Sequence, residues 1–166
     1  MIKEININIP SSTNKNIINN LYYSKNWYFG WDENYSQNVN KKDSGFILDT
    51  LTFNNDILNT YANVIFNIVE KDTFMKFKKI QRIYWNWYHP GSITEFHYDS
   101  SNDNKFSIIY NLHNNDGGTE FMNNDKVEFI QAKESTAILF PSKIKHRGIA
   151  PKENMNRFAL NMVLEI

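Results

Sequence analysis

Hydrophobic residues in this chain keep two rhythms, and the change from one to the other divides it near residue 80. At the start Ile2, Ile5, Ile7 and Ile9 alternate with polar residues closely enough to predict a strand ended by Pro10. Ser11, Ser12 or Thr13 then caps a short helix running toward Leu21 and Tyr22. Residues 23–44 mix aromatic and polar side chains with neither period. They read as an irregular surface segment pinned by Trp27 and Trp31, the alternative being a lid over a site. From Asn54 or Asn55 as cap, Ile57, Leu58, Tyr61, Val64, Ile65, Ile68 and Val69 recur at helical spacing.

Beyond that helix the period drops to two. Ile83, Trp85 and Trp87 share one face of a strand and Arg82, Tyr84, Asn86 and Tyr88 the other, up to the turn at Pro90-Gly91. Short strand-like runs follow at Thr94 to Tyr98, Phe106 to Leu112, Thr119 to Met122, Val127 to Gln131, Thr136 to Phe140 and Arg157 to Glu165. In the last of these Phe158, Leu160, Met162 and Leu164 form an apolar stripe suited to packing on helices. Arg157, Ala159, Asn161 and Val163 form the other face, which carries an arginine into the interior. The expected architecture is mostly β with supporting helices, a sandwich or barrel with helices against one sheet. No repeat or second boundary appears, so 1–166 reads as one domain, with 1–79 as supporting strand and helices and 80–166 as the core.

Composition narrows the chemistry. The 166 residues are 41% hydrophobic and 15% aromatic, enough for a sizeable core. Eighteen basic and eighteen acidic residues cancel, so the broad positive field that draws nucleic acid or anionic membrane is missing. With no cysteine, disulfides and thiolate metal sites are excluded and His, Asp and Glu remain as strong ligands. No apolar run approaches the roughly 20 residues that span a bilayer, and the N-terminus lacks a signal-peptide pattern. The expectation is a soluble, cytoplasmic protein.

The stretch "EFHYDSSN" (95–102) places His97 and Asp99 two apart in a predicted strand, on one face, within reach of a metal ion, a substrate or each other. By itself H-x-D is common, and a plain His–Asp hydrogen bond at a strand end is the bland alternative. His146 changes that balance, since it follows a buried strand and a proline turn. Two histidines and one carboxylate match the facial triad that holds non-haem Fe(II) and leaves positions open for oxygen chemistry.

On these residues the chain resembles the Fe(II)- and 2-oxoglutarate-dependent dioxygenases, and within them is most similar to the prolyl 4-hydroxylase-like branch. The motifs are Tyr88 and Gly91, His97-x-Asp99, "GGTEF" (117–121), "LFPS" (139–142) leading to His146, Pro151 and "RFALN" (157–161), covering about residues 80–166. The resemblance implies a double-stranded β-helix (jelly roll, cupin-like), with the N-terminal helices packed on one sheet. It implies Fe(II) on His97, Asp99 and His146, and 2-oxoglutarate and O2 as cosubstrates, with ascorbate as an accessory reductant. Arg157 matches the basic residue that meets the far carboxylate of 2-oxoglutarate, a role for which the planar guanidinium is suited. No acidic residue shares its predicted face, which favours a ligand carboxylate over an internal partner. Tyr88 matches a tyrosine that hydrogen-bonds the cosubstrate. In "SIIYNLH" the chain departs from the family's Tyr-Leu-Asn, so either Tyr110 or Asn111 faces the site; Tyr110 is taken as the third cosubstrate candidate. His89 and His113 fall outside the motif and read as surface or packing residues.

The implied reaction is oxidative decarboxylation coupled to hydroxylation of an unactivated C–H bond, with succinate and CO2 as coproducts. A peptidyl proline or related amino acid is the expected substrate, a small metabolite or nucleobase the alternative. The loop "SSNDNK" (100–105) and the aromatic segment before the second helix are the expected gates. Against repair-type oxygenases stand the missing second arginine after Arg157 and the zero net charge. A silent jelly-roll binding module would not need all three ligands. A cupin-like enzyme would show H-x-H where this chain has Asp99.

Overall fold

The computed structural model describes residues 2–29, 45–92, 94–123, 126–152 and 155–166; of the segment 23–44, read as irregular surface with a lid as the alternative, residues 30–44, and with them Trp31, lie outside the described residues. Along the chain run β1 (Lys3–Asn6), α1 (Ser11–Tyr23), β2 (Tyr28–Phe29), β3 (Phe46–Asp49), α2 (Asp56–Thr73), β4 (Lys79–Tyr88) and β5 (Lys105–Asn111). Then come β6 (Gly118–Asn123), β7 (Lys126–Gln131), β8 (Thr136–Pro141), β9 (Lys145–Ile149) and β10 (Arg157–Glu165). The strands form a larger sheet in the order β1-β8-β5-β10-β4-β3-β2 and a smaller one in the order β7-β6-β9, every pairing antiparallel. This is the sandwich expected from the short alternating strands, in the jelly-roll form that the resemblance implied, with the helices on the outer face of the larger sheet.

The two faces of β10 show why the sheet sits where it does. Phe158, Leu160, Met162 and Leu164 pack with Ile83, Trp85, Ile108, Leu139 and the helix residues Ile17, Leu21, Leu58, Ala62, Ile65 and Val69 in the main core. Each such burial is worth roughly 1.5–3 kcal/mol. Ile5, Ile7 and Ile9 join this core, whereas Ile2 packs from the other side. The opposite face of the sheet meets the smaller one through Ile109, Phe121, Ile130, Ile138, Phe140 and Ala159. The interior between the sheets is therefore only partly apolar, and polar residues fill the rest.

α2 begins as expected, with the Asn55 side chain accepting from Leu58 N at 3.1 Å. Its apolar stripe is narrower than the spacing suggests, since Ile57 and Val64 are exposed. α1 has no side-chain cap of the expected kind. Pro10 takes the cap position, and its carbonyl accepts from Thr13 N at 2.9 Å and Asn14 N at 3.1 Å. Proline suits the end of a strand and the entry to a helix because its missing N–H is not called on there.

Four stretches differ from the sequence expectation. β2 and β3 extend the larger sheet past β4, and β9 forms in "KHRGI", which has no alternating pattern. The run Thr94 to Tyr98 is not a strand. It touches β9 through one bridge, with His97 N donating to His146 O and His146 N to His97 O, both at 2.9 Å. Among the described residues no helix is long and apolar enough to cross a membrane.

Candidate metal centre

Register across the larger sheet lays out the interior in rows. Tyr88 of β4 lies opposite Arg157 of β10; Asn86 and Asn111 flank Ala159; Tyr84 and Ile109 flank Asn161; Arg82 and Ser107 flank Val163. Arg157 thus stands at one end of this face of the sheet. Asn161, Arg82 and Ser107 stand at the other.

Above that second end sit His97, Asp99 and His146, whose ligand atoms all lie within 4.8 Å of one another. The paired backbone bonds between His97 and His146 bring the two rings to a centroid separation of 4.6 Å. His97 Nδ1 contacts Glu95 O and His146 Nδ1 contacts Ile144 O, both at 3.0 Å. A carbonyl only accepts, so each Nδ1 carries the proton and each Nε2 keeps its lone pair. Those lone pairs point at Asp99. His97 Nε2 is 3.9 Å from Asp99 Oδ1, and His146 Nε2 is 3.6 Å from Oδ2. Two neutral imidazoles and a carboxylate, with the second ring nitrogens tied to the backbone, suit ferrous iron or a similar divalent cation.

Asp99 is fully buried at its side chain and would be driven toward the neutral form by burial alone. The Arg82 guanidinium, then His146 and His97 and a hydrogen bond from Ser107, outweigh that and hold the carboxyl far below the usual range. Arg82 forms an ion pair with Asp99 and donates to Asn161 Oδ1 at 2.9 Å. Asn161 Nδ2 donates to Asp99 Oδ2 at 3.2 Å and Ser107 Oγ to the same oxygen at 2.6 Å. Sequence reasoning did not single out Arg82, Asn161 or Ser107. Their strand parity, shared with Arg157, was the available signal.

His146 is buried, and burial pushes its pKa down to about 4, Asp99 opposing. Its folded value therefore lies below its ordinary 6.5. Between those two values the unfolded chain takes up a proton that the folded one refuses, so falling pH destabilises the fold. The metal-free protein is expected to lose about 3 kcal/mol of unfolding free energy between pH 6.5 and 4 from this one group. Urea titrations across that window check it, with His146→Gln flattening the slope. An equal slope in the variant would assign the loss to other groups.

Arg157 is almost wholly buried. Its Nη2 donates to Asn111 Oδ1 at 3.2 Å and Thr119 Oγ1 at 3.4 Å, its Nη1 to Ile149 O at 3.4 Å, and its Nε has no partner. Burial pulls its pKa below the ordinary value, with Tyr88 opposing, yet a guanidinium stays charged at any neutral pH. No carboxylate among the described residues forms an ion pair with it. A buried cation held only by neutral groups is costly unless an anion joins it. The Tyr88 ring lies under the guanidinium, centroid to Cζ 4.9 Å. Its hydroxyl presses on Gly148 so closely that a Cβ there would come within 2.5 Å.

Tyr110 is not brought to the site. It lies opposite Leu160, in the helix-facing stripe, and its hydroxyl donates to Asn14 Oδ1 of α1 at 2.7 Å. Asn111, one residue on, faces the interior and holds Arg157, so the candidate pair resolves to Asn111. His113 Nε2 accepts from Phe158 N at 3.4 Å and His89 Nδ1 contacts Pro90 O at 3.0 Å; neither joins the centre.

No family model and no curated protein sequence matches the chain. Its fold, however, is that of solved 2-oxoglutarate-dependent oxygenases. The non-heme alpha-ketoglutarate-dependent epimerase SnoN from nogalamycin biosynthesis superposes with a TM-score of 0.77 at 9% identity, covering 99% of this chain and 78% of that one. A prolyl hydroxylase from Trichoplax adhaerens, solved with a hypoxia inducible factor oxygen degradation domain peptide fragment, gives 0.73 at 17%, covering 99% and 83%. A Pseudomonas putida prolyl-4-hydroxylase gives 0.70 at 10%, covering 99% and 91%. At these identities the likeness is one of fold, and the chemistry has to be argued from the site.

Proposed function

We propose that this chain is an Fe(II)- and 2-oxoglutarate-dependent dioxygenase that hydroxylates a peptidyl proline or a related amino-acid residue. One observation carries the reading: a cation-ready His97, Asp99 and His146 cluster is hydrogen-bonded to Asn161, which shares the inward face of β10 with a buried arginine that forms no ion pair with a carboxylate among the described residues. An anion with one end on the metal and a carboxylate at the other satisfies both. When bound, ferrous iron with 2-oxoglutarate and dioxygen supplies the oxidising power for hydroxylation, releasing succinate and carbon dioxide.

The chain's own residues bind and orient. His97 and His146 present neutral Nε2 atoms and Asp99 one negative charge, leaving positions open on the cation. Arg157 would take the far carboxylate of the keto acid, with Asn111 and Thr119 fixing the angle of its guanidinium and Tyr88 beneath it. Ala159, between Arg157 and Asn161 on the same face of β10, has a small side chain that would leave room for the keto acid between them. Phe121 and Phe140 pack on the His146 ring and exclude water from behind it. A pocket of about 450 Å³ along Gly91, Ser92, Thr94, Arg147 and Gly148 adjoins Tyr88, whose hydroxyl lies against Gly148, and suits an extended ligand. The proline reading draws support from the two prolyl hydroxylases of the same fold.

Adding Fe(II) and then 2-oxoglutarate without oxygen is expected to raise a weak visible charge-transfer band that neither component gives alone. Succinate release on proline-rich peptides, with free proline as control, then tests the substrate. A protein that binds Fe(II) with no band on adding the keto acid is a different metalloprotein. A band without succinate on any proline substrate leaves the class standing and removes the proline assignment.

A further inference from the structure

The pocket beside Tyr88 is lined by two cations, Arg147 and Lys152, and by no carboxylate, in a chain whose charges sum to zero. We infer that it takes the carboxylate of an aspartate or glutamate on an extended peptide, so that the substrate of the proposed hydroxylation carries an acidic residue at a set spacing from the residue that reacts. The inference rests on that reading of the function.

Arg147 is held ready for such a group. Successive residues of β9 alternate, so His146 turns to the metal centre and Arg147 to the outer face, opposite Glu120 of β6. Glu120 Oε2 accepts from Nε at 2.8 Å and lies 2.8 Å from Nη2, while the Phe96 ring lies under the guanidinium, 4.5 Å from Cζ. A guanidinium offers a carboxylate two edges. Glu120 takes the Nε edge, and Nη1 has no partner among the described residues. The side chain is 36% exposed, so its second edge is open to a ligand. Because Glu120 and Phe96 already order the arginine, binding there costs little side-chain entropy.

The other groups of the pocket agree. Lys152 forms no ion pair among the described residues, and its backbone is fixed by the Asp116 carboxylate, which accepts from Lys152 N at 3.1 and 3.3 Å. Ser92 Oγ accepts from His89 N at 3.1 Å and keeps its own proton to donate. Thr94 Oγ1 donates to Gly148 O, which ties the loop after β4 to β9 and fixes the two walls. Gly91 is left-handed, with φ 85°, and a Cβ there would meet nothing within 4 Å, so this end is open. About 450 Å³ exceeds one acidic side chain, which leaves room for the peptide backbone that carries it. Gly148 joins the pocket to the interior, since it meets the Tyr88 hydroxyl and Tyr88 lies under Arg157.

Fluorescence anisotropy on the metal-free protein tests the pocket apart from turnover. The probes are labelled, proline-centred peptides with one glutamate walked through the flanking positions, each paired with its glutamine counterpart. Glutamine still accepts hydrogen bonds, so the pair isolates charge. At one spacing the glutamate peptide is expected to bind about tenfold tighter, an advantage that shrinks as salt rises. Lys152→Gln, which breaks no side-chain bond, should lower that ratio. Arg147→Gln made together with Glu120→Gln, so that no lone carboxylate remains, should bring it within about twofold of unity. A ratio near one at every spacing in the unaltered protein overturns the inference. So does a ratio that survives both sets of substitutions, which puts the recognising group elsewhere. Succinate release with Fe(II) and 2-oxoglutarate separates the two readings: release without glutamate dependence removes the acidic pocket and leaves the dioxygenase, whereas glutamate-dependent binding without release upholds the pocket and removes the hydroxylation.

Discussion

Replacing His97 with alanine is expected to remove divalent-cation binding while leaving the fold in place. The imidazole would supply one of the three ligands proposed among the described residues, and Asp99 and His146 alone would offer the cation two donors. Loss of groups that merely support a ligand costs about 10–100-fold in metal affinity, so loss of the ligand itself should exceed 100-fold. The fold is spared because the His97 side chain is 30% exposed and the bridge to β9 is made by backbone atoms that alanine retains. Titration with Mn(II), or with Fe(II) in the absence of oxygen, measures the loss, and thermal unfolding of the metal-free protein measures the fold. A variant with unaltered affinity would mean that the cation, if held, sits elsewhere.

How far this was legible in the sequence depended on whether the information was local. β10 could be read outright, since its two faces differ so much that Phe158 and Leu160 had to meet helices and Arg157 the interior. The alternation of β4 placed Tyr88 on the inward face, and motif and residue type pointed to the three side chains that the fold brings together, His97, Asp99 and His146. Tyr110 and Asn111 resisted because adjacent strand residues always take opposite faces, and only the register against β10 says which is which. With Tyr110 opposite Leu160, the stripe already assigned to the helices would have settled it. β9 was hidden because a strand holding His146, Arg147 and Gly148 carries no apolar period. The hydrogen bonds around Asp99 were beyond reach for a deeper reason: parity put Arg82 and Asn161 inside, but their partner arrives from an irregular segment with a single bridge to the sheets.

Arg157→Met should weaken 2-oxoglutarate binding by 100-fold or more and leave metal affinity unchanged. A hydrogen bond to a charged group contributes about 1.5–3 kcal/mol, and a guanidinium makes two to a carboxylate, so loss of both reaches that range even with partial compensation. Stability should move the other way. The native arginine is a buried cation with neutral partners and an orphaned Nε, and exchanging such a charge for an apolar side chain of similar volume is commonly neutral or stabilising. The metal-free variant is therefore expected to melt at the same temperature or higher, while its charge-transfer band appears only at far greater 2-oxoglutarate concentrations. Arg157→Lys keeps the charge but not the fork and should fall between the two. A purely structural arginine would give the opposite pair of results, a lower melting temperature with cosubstrate affinity intact, and that outcome would strip Arg157 of its assigned role.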